Sequence, residues 1–204
     1  MTLMGIISGS RIVDRFKEIY ACEFHYDENG IADWPKLAVN YTNKTQFLFR
    51  INKGVLDISD DYNLNKKMLE GDRRIPTSNM IYIGDGLTDI PCMKLTKESG
   101  GVSIAVYTDK NKKEAHGLLK DGRINFAVKA DYSENEELDK IMKNIIDKIV
   151  IDTKLKNVTA SQKDKETQKE EKLRGGKPKQ GGQGQYNTEY GDKYKKPKRQ
   201  PKRV

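Results

Sequence analysis

Two carboxylates four positions apart, Asp85 and Asp89, stand in the hexapeptide Gly84-Asp85-Gly86-Leu87-Thr88-Asp89, directly after the apolar run Ile81-Tyr82-Ile83. A strand ending there delivers Asp85 to its tip, and the flanking glycines permit a tight turn and close approach of a ligand. Asp89 can fold back towards the same crevice. The pair offers hard oxygen ligands, or partners for bound water, to a Mg²⁺ that keeps several waters and holds a substrate phosphate. The spacing is not that of an EF-hand loop, because Ile90 stands where that loop needs glycine. By itself, Gly-Asp-Gly is also ordinary turn punctuation.

Two further positions carry phosphate chemistry. Lys44 opens a predicted helix, where an ammonium can reach a phosphate or neutralise clustered carboxylates; the plainer alternative is a solvated surface lysine. Ser8, at the end of Leu3–Ile7 and followed by Gly9, can offer a hydroxyl and free backbone amides to a phosphate oxygen, or simply cap the next helix. His25 and His116 are isolated, and Cys22 and Cys92 form neither a CxxC nor a Cys/His cluster. They read as packing residues. No GxGxxG follows a strand and no GxxxxGK[ST] is present, so dinucleotide and P-loop chemistry lack their phosphate cradles.

The elements that must position these residues follow from periodicity. Leu3–Ile7 reads as a buried strand, with a helix over Arg11–Ile19 after it. Cys22–Tyr26 and Ile31–Trp34 flank Asp27-Glu28-Asn29-Gly30 as a hairpin. Thr42 or Asn43 caps a helix bearing Phe47, Leu48 and Ile51 and ending at Gly54. Met80–Ile83, Val102–Tyr107 and Ile124–Ala130 read as buried strands, with a short helix around Pro91–Leu95. Ser133 and Glu136 have capping-box spacing, and Leu138, Ile141, Met142, Ile145, Ile146 and Ile149 recur at helical period. Strands alternating with helices predict an α/β fold with a mainly parallel sheet. In such sheets ligands sit beyond the carboxyl ends of the strands.

Composition bounds the rest. Of 204 residues 35% are hydrophobic, and 38 Lys+Arg face 30 Asp+Glu for a net charge of +8. Residues 152–204 hold 16 Lys+Arg and 7 Asp+Glu, whereas residues 1–151 hold 22 and 23. The expected organisation is an α/β domain over 1–151 and a disordered, basic, low-complexity tail over 152–204. Arg174-Gly175-Gly176, the Lys/Arg cluster in 193–203 and Tyr186, Tyr190 and Tyr194 make nucleic acid or another polyanion an alternative partner for that tail. No apolar run approaches the roughly 18 residues of a membrane span, no secretory signal is evident, and a reducing cytoplasm is the expected compartment.

The order strand-Ser8, helix-opening Lys44, strand-GDGxxD resembles motifs two, three and four of the haloacid dehalogenase-like hydrolase superfamily. The wording of Asn43–Gly54 and Ile81–Tyr107 resembles its phosphoserine-phosphatase-like branch. The resemblance covers about residues 4–130 and implies a Rossmann-like core performing Mg²⁺-dependent hydrolysis of a small phosphorylated metabolite through an aspartyl-phosphate. It implies that Ser8 and Gly9 bind the transferring phosphoryl group and that Lys44 stabilises its charge and the nucleophile. Asp85 would coordinate Mg²⁺ and Asp89 would support the metal site; Thr88 stands where several relatives carry Asn. The family's first motif, a strand with Asp-x-Asp carrying the nucleophile, lies upstream of the Ser motif, where only seven residues are present, and the cap is missing with it. The nearest substitute, Val55-Leu56-Asp57-Ile58-Ser59-Asp60, falls in the wrong chain order. The expectation is therefore a carboxyl-terminal portion of such an enzyme, inactive alone.

Overall fold

The computed structural model describes residues 3–173. The chain divides into two compact units, 1–150 and 151–204. Unit one contains a two-stranded antiparallel hairpin and a three-stranded parallel sheet. The hairpin pairs β1 (Glu23–Tyr26) with β2 (Ala32–Leu37), closed by Asp27, whose Oδ1 accepts the amides of Asn29 and Ile31 at 2.9 and 2.8 Å. Its second strand starts and ends later than the sequence predicts.

The parallel sheet has the order β3-β4-β5, from Ile81–Gly84, Val102–Tyr107 and Phe126–Lys129. Successive side chains alternate between its faces. Tyr82, Ala105 and Ala127 face Met93 of α4 (Ile90–Glu98) and Ala115 and Leu118 of α5 (Lys112–Lys120). Ile81, Ile104, Val106 and Val128 face Leu138, Ile141 and Ile145 of α6, which starts at Glu137. The mixed α/β architecture with a helix-flanked parallel sheet is therefore as expected, and β4, covered on both faces and both edges, is its centre. β3 is an edge. The Val102 amide donates to Met80 O at 3.0 Å, which turns the backbone groups of Tyr82 towards β4 and those of Ile81 and Ile83 to the open side.

α2 (Lys44–Lys53) organises the connection to β3. Gly54 ends it at φ 76°, a left-handed conformation that L side chains resist, and its amide closes on Arg50 O and Ile51 O. Arg50 is 1% exposed; its guanidinium donates to the carbonyls of Asp57, Ile58 and Asp60 and to Asp61 Oδ1. Asn52, also buried, donates to Ile75 O at 2.7 Å. The segment 55–60, the substitute nucleophile string, is thus spent on structure: Asp57 Oδ1 accepts from Ser59, and Asp60 caps α3 (Asp61–Asn65) through the Asn63 amide.

Three expectations fail, and one helix is present that the sequence does not predict. Leu3–Ser8 is a helix, α1, not a strand. A run of this length fits either structure, and a strand requires a ladder partner whereas a helical turn bonds to itself. The helix expected over Arg11–Ile19 is reduced to a 3₁₀ turn at Val13–Arg15, with Ile12 57% exposed: its apolar stripe has no face to bury against, and short helices are marginal without one. α5 was not predicted, because Lys112, Lys113, Glu114, His116 and Lys120 leave only a narrow apolar stripe of Ala115 and Leu118. Residues 152–173, expected to be disordered, are helical as part of α6, which runs to Leu173. They are rich in Lys, Glu and Gln, strong helix formers, with Thr159 and Thr167 bonded back one turn and Lys169 paired with Glu166 at 2.6 Å. The rest of the expected tail, 174–204, lies outside the described residues. Among the described residues no helix is long and apolar enough to cross a membrane.

Replacing Arg50 with Ala empties a fully buried position and removes the charged donor to three carbonyls and one carboxylate, hydrogen bonds of a kind worth about 1.5–3 kcal/mol each. Urea unfolding of Arg50→Ala is expected to show a loss of about 3 kcal/mol or more; a loss below about 1 kcal/mol would mean that water replaces the guanidinium without penalty.

Candidate functional site

The site lies at the carboxyl end of β3, as parallel-sheet topology requires. β3 ends on Gly84, and the chain turns through Asp85–Asp89 into α4. Gly84 is compulsory for a steric reason: a Cβ there would stand 2.7 Å from Cβ and Cγ of Asp89, so the turn folds Asp89 back onto the strand only where no side chain intervenes.

Asp89 is buried, and three elements converge on its carboxylate. Lys44 Nζ, from the first residue of α2, donates to Oδ1 at 2.7 Å across 45 positions of sequence. Tyr82 OH, from within β3, donates to the same oxygen at 2.7 Å, and the Gly86 amide approaches Oδ2 at 3.4 Å. Burial pushes the Asp89 carboxyl up, but the hydrogen bonds from Lys44 and Tyr82 and the Lys44 charge outweigh it, leaving the group below the ordinary carboxylate range. Burial, then the bond to Asp89, pushes the Tyr82 hydroxyl well above the usual phenol range. Burial likewise raises the neighbouring Cys92 thiol.

Asp85 is the opposite case. Its side chain is exposed and, among the described residues, makes no hydrogen bond or ion pair, while its carbonyl accepts Asn111 Nδ2 at 2.7 Å. Asn111 leads into α5, and its Oδ1 accepts from Thr108 N and Oγ1, so the loops after β3 and β4 are tied together. Between them is a cavity of about 70 Å³ floored by Met93, Ala105, Ala115 and Leu118, with Asp85 and Asn111 at its rim.

Lys44 and Asp89 are therefore brought together, and Asp85 stands at the start of the same turn with its side chain bonded to neither. Ser8 and Gly9 are not joined to them: both are exposed at and just after the end of α1, and Ser8 makes no hydrogen bond to the other three. Tyr82 and Asn111 escape sequence reading. Tyr82 looks like any strand aromatic, although its place two residues before Gly84 puts it on the face towards which Asp89 folds. Asn111 carries only the signal of an Asn ahead of a helix. Among the described residues no group of three or more His, Cys, Asp and Glu is placed to hold a metal. Mg²⁺ commonly needs one or two protein carboxylates beside waters and phosphate oxygens, and Asp85 supplies one such ligand.

Stability should follow the Asp89 ionisation with a definite sign. Because its folded pKa is depressed, the stabilisation is complete above the ordinary carboxyl value of about 3.9 and is lost as pH falls through the lower folded value. Asp89→Asn is expected to be less stable than wild type by about 2 kcal/mol near neutrality, the gap closing in strong acid. Melts of both proteins taken stepwise into the acid range check this; a gap independent of pH would show that the charge does not contribute.

No family model matches the chain, and no solved structure matches it. It is similar to an uncharacterized protein of Borreliella burgdorferi (strain ATCC 35210), with 27% identity over 150 residues covering 65% of this chain. The aligned part is 50% of that protein, so the chain spans about half the length of the curated relative it matches.

Proposed function

We propose that the chain carries part of the catalytic core of a Mg²⁺-dependent phosphohydrolase of the haloacid dehalogenase-like superfamily, phosphoserine-phosphatase-like branch, acting on a small phosphorylated metabolite through an aspartyl-phosphate. The observation that carries this reading is the Lys44–Asp89 pair at 2.7 Å, which joins the third and fourth motifs of the resemblance at one strand end beside the unpaired Asp85. A half-buried cation held at the end of a parallel strand, with an exposed carboxylate in the turn that follows, suits phosphoryl transfer, whose demands are positioning and charge stabilisation.

In this reading Lys44, held by Asp89, presents its remaining N–H donors to a phosphoryl oxygen. Tyr82 and Gly86 keep Asp89 oriented. Asp85 would hold Mg²⁺, which when bound supplies charge neutralisation to phosphate oxygens. Asp89, with both oxygens engaged, supports the site by positioning Lys44. The nucleophile would come from a strand pairing with the open edge of β3, outside the residues described. Ser8 would have to leave α1 for a strand end to bind phosphate as the resemblance implies.

Purified chain incubated with a generic phosphomonoester and Mg²⁺ is expected to show no turnover; turnover that Asp85→Ala abolishes would place the nucleophile within this chain. In a protein carrying an Asp-x-Asp strand ahead of these residues, Lys44→Ala and Asp85→Ala should each lower kcat/KM by about 100-fold or more. Equal rates in those variants would overturn the assignment.

Charge placement favours a second reading, a non-catalytic protein whose basic tail binds a polyanion. Residues 174–204 hold ten Lys+Arg and two Asp+Glu, so they account for the whole net charge of +8. Affinity for single-stranded RNA that falls steeply with salt and vanishes on deleting 174–204 would support it; affinity unchanged by the deletion would exclude it.

A further inference from the structure

We propose that Asn111 is a positioning residue for the Asp85 carboxylate, acting through the peptide plane between Asp85 and Gly86. The inference rests on the reading of Asp85 as a metal ligand, but the restraint itself is independent of that reading. The carbonyl of Asp85 and the amide of Gly86 belong to one planar unit. Asn111 Nδ2 donates to that carbonyl at 2.7 Å, and the amide on the other side of the plane faces Asp89 Oδ2 at 3.4 Å. The plane is thereby pinned from both edges, by the loop after β4 and by the buried carboxylate.

Fixing this plane removes the principal freedom left to Asp85. β3 ends at Gly84, so nothing on the ladder restrains the residue after it. Its side chain is exposed and has no partner among the described residues, and beneath the loop lies a cavity rather than packed atoms. Without the Asn111 bond, Asp85 would be held only by its neighbours in a glycine-flanked turn that borders a cavity. Asn111 is itself immobilised: its Oδ1 accepts the Thr108 amide at 2.7 Å and the Thr108 hydroxyl at 3.2 Å, which also fixes which end of its amide points to Asp85. A ligand that keeps one orientation before the ion arrives loses less freedom on binding it. Partners of this kind behind metal ligands commonly alter affinity by about 10–100-fold.

The competing role is closure of the turn ahead of α5: Asn111 stands at the N-cap position, where its side chain makes no hydrogen bond to the helix amides and its Oδ1 accepts from Thr108. Asn111→Asp separates the two. Asp keeps the acceptor for Thr108, but it has no N–H to give to Asp85. The experiment is ¹⁵N relaxation on the full chain, without metal and then with Mn²⁺ as the probe ion, for wild type, Asn111→Asp, Asn111→Ala and Asp85→Asn. The expected result is that Gly86, Leu87 and Thr88 have order parameters near about 0.85 in wild type and below about 0.6 in both Asn111 variants, with Asn111→Asp melting like wild type. Mn²⁺ broadening centred on Asp85 should need about 10-fold more ion in both and be absent in Asp85→Asn. Order parameters in Asn111→Asp equal to wild type would overturn the proposal and leave Asn111 a residue that only closes the turn from Thr108. Loss of order in that variant, with no Mn²⁺ effect at Asp85 even in wild type, would uphold the clamp and refute Asp85 as a metal ligand.

Discussion

The buried carboxylate of Asp89 is the constraint on which the site depends. A carboxylate removed from water must be compensated by hydrogen bonds and charge, and its donors come from three places: the start of α2, the middle of β3 and the turn between β3 and α4. Satisfying one group therefore fixes the beginning of α2 against the end of the sheet. The other half of α2 does similar work with nitrogen donors, those of Arg50 and Asn52 buried and that of Lys53 half-buried. Arg50, Asn52 and Lys53 bind backbone carbonyls between Asp57 and Ile75, so a segment with little regular structure is held by side chains rather than by ladders. The region before the sheet is built on polar satisfaction, and the sheet itself on apolar burial.

That division explains which parts were legible. β3, β4 and β5 were readable as short, nearly continuous apolar runs, as a sheet covered on both faces requires, and the first half of α6 because its apolar residues recur at period 3.6. The end of α2 at Gly54 was readable from left-handed backbone chemistry. Leu3–Ser8 was misread because a short apolar run carries no information about which hydrogen bonds it will make, and Arg11–Ile19 because an amphipathic stripe predicts a helix only if something covers it. Residues 152–173 were misread for the converse reason. Low hydrophobicity argues against a packed core, yet helix propensity and ion pairs one turn apart need no core.

In the site, residue type, spacing and the order of the motifs singled out Lys44, Asp85 and Asp89, of which Lys44 and Asp89 are paired in the structure. The same signals were not enough to find Tyr82 or Asn111. Those residues act on a single oxygen or a single peptide plane, and their partners are set by how the turn after Gly84 folds. A hydrogen bond formed across a tertiary junction leaves no period and no spacing in the sequence. Ser8 shows the reverse: residue type and neighbours suit a phosphate loop, but the segment bearing it is helical and exposed.

Two aspartates that look equivalent in the hexapeptide are separated by environment into different work. Asp89 is buried, its oxygens are occupied, and its ionisation is secured by Lys44 and Tyr82. Asp85 is exposed with its carboxylate unoccupied, and only its backbone is tied down. A group whose lone pairs are already committed makes a poor ligand and a good scaffold; one whose lone pairs are free on a restrained backbone is the reverse. Lys44 stands between these limits. Its ammonium has three donors and spends one on Asp89, and its side chain is 27% exposed, so it can hold its place and still offer hydrogen to an anion arriving from solvent. An anion so placed would meet a cation already desolvated and oriented, at the end of the strand whose following turn carries the unpaired Asp85 carboxylate.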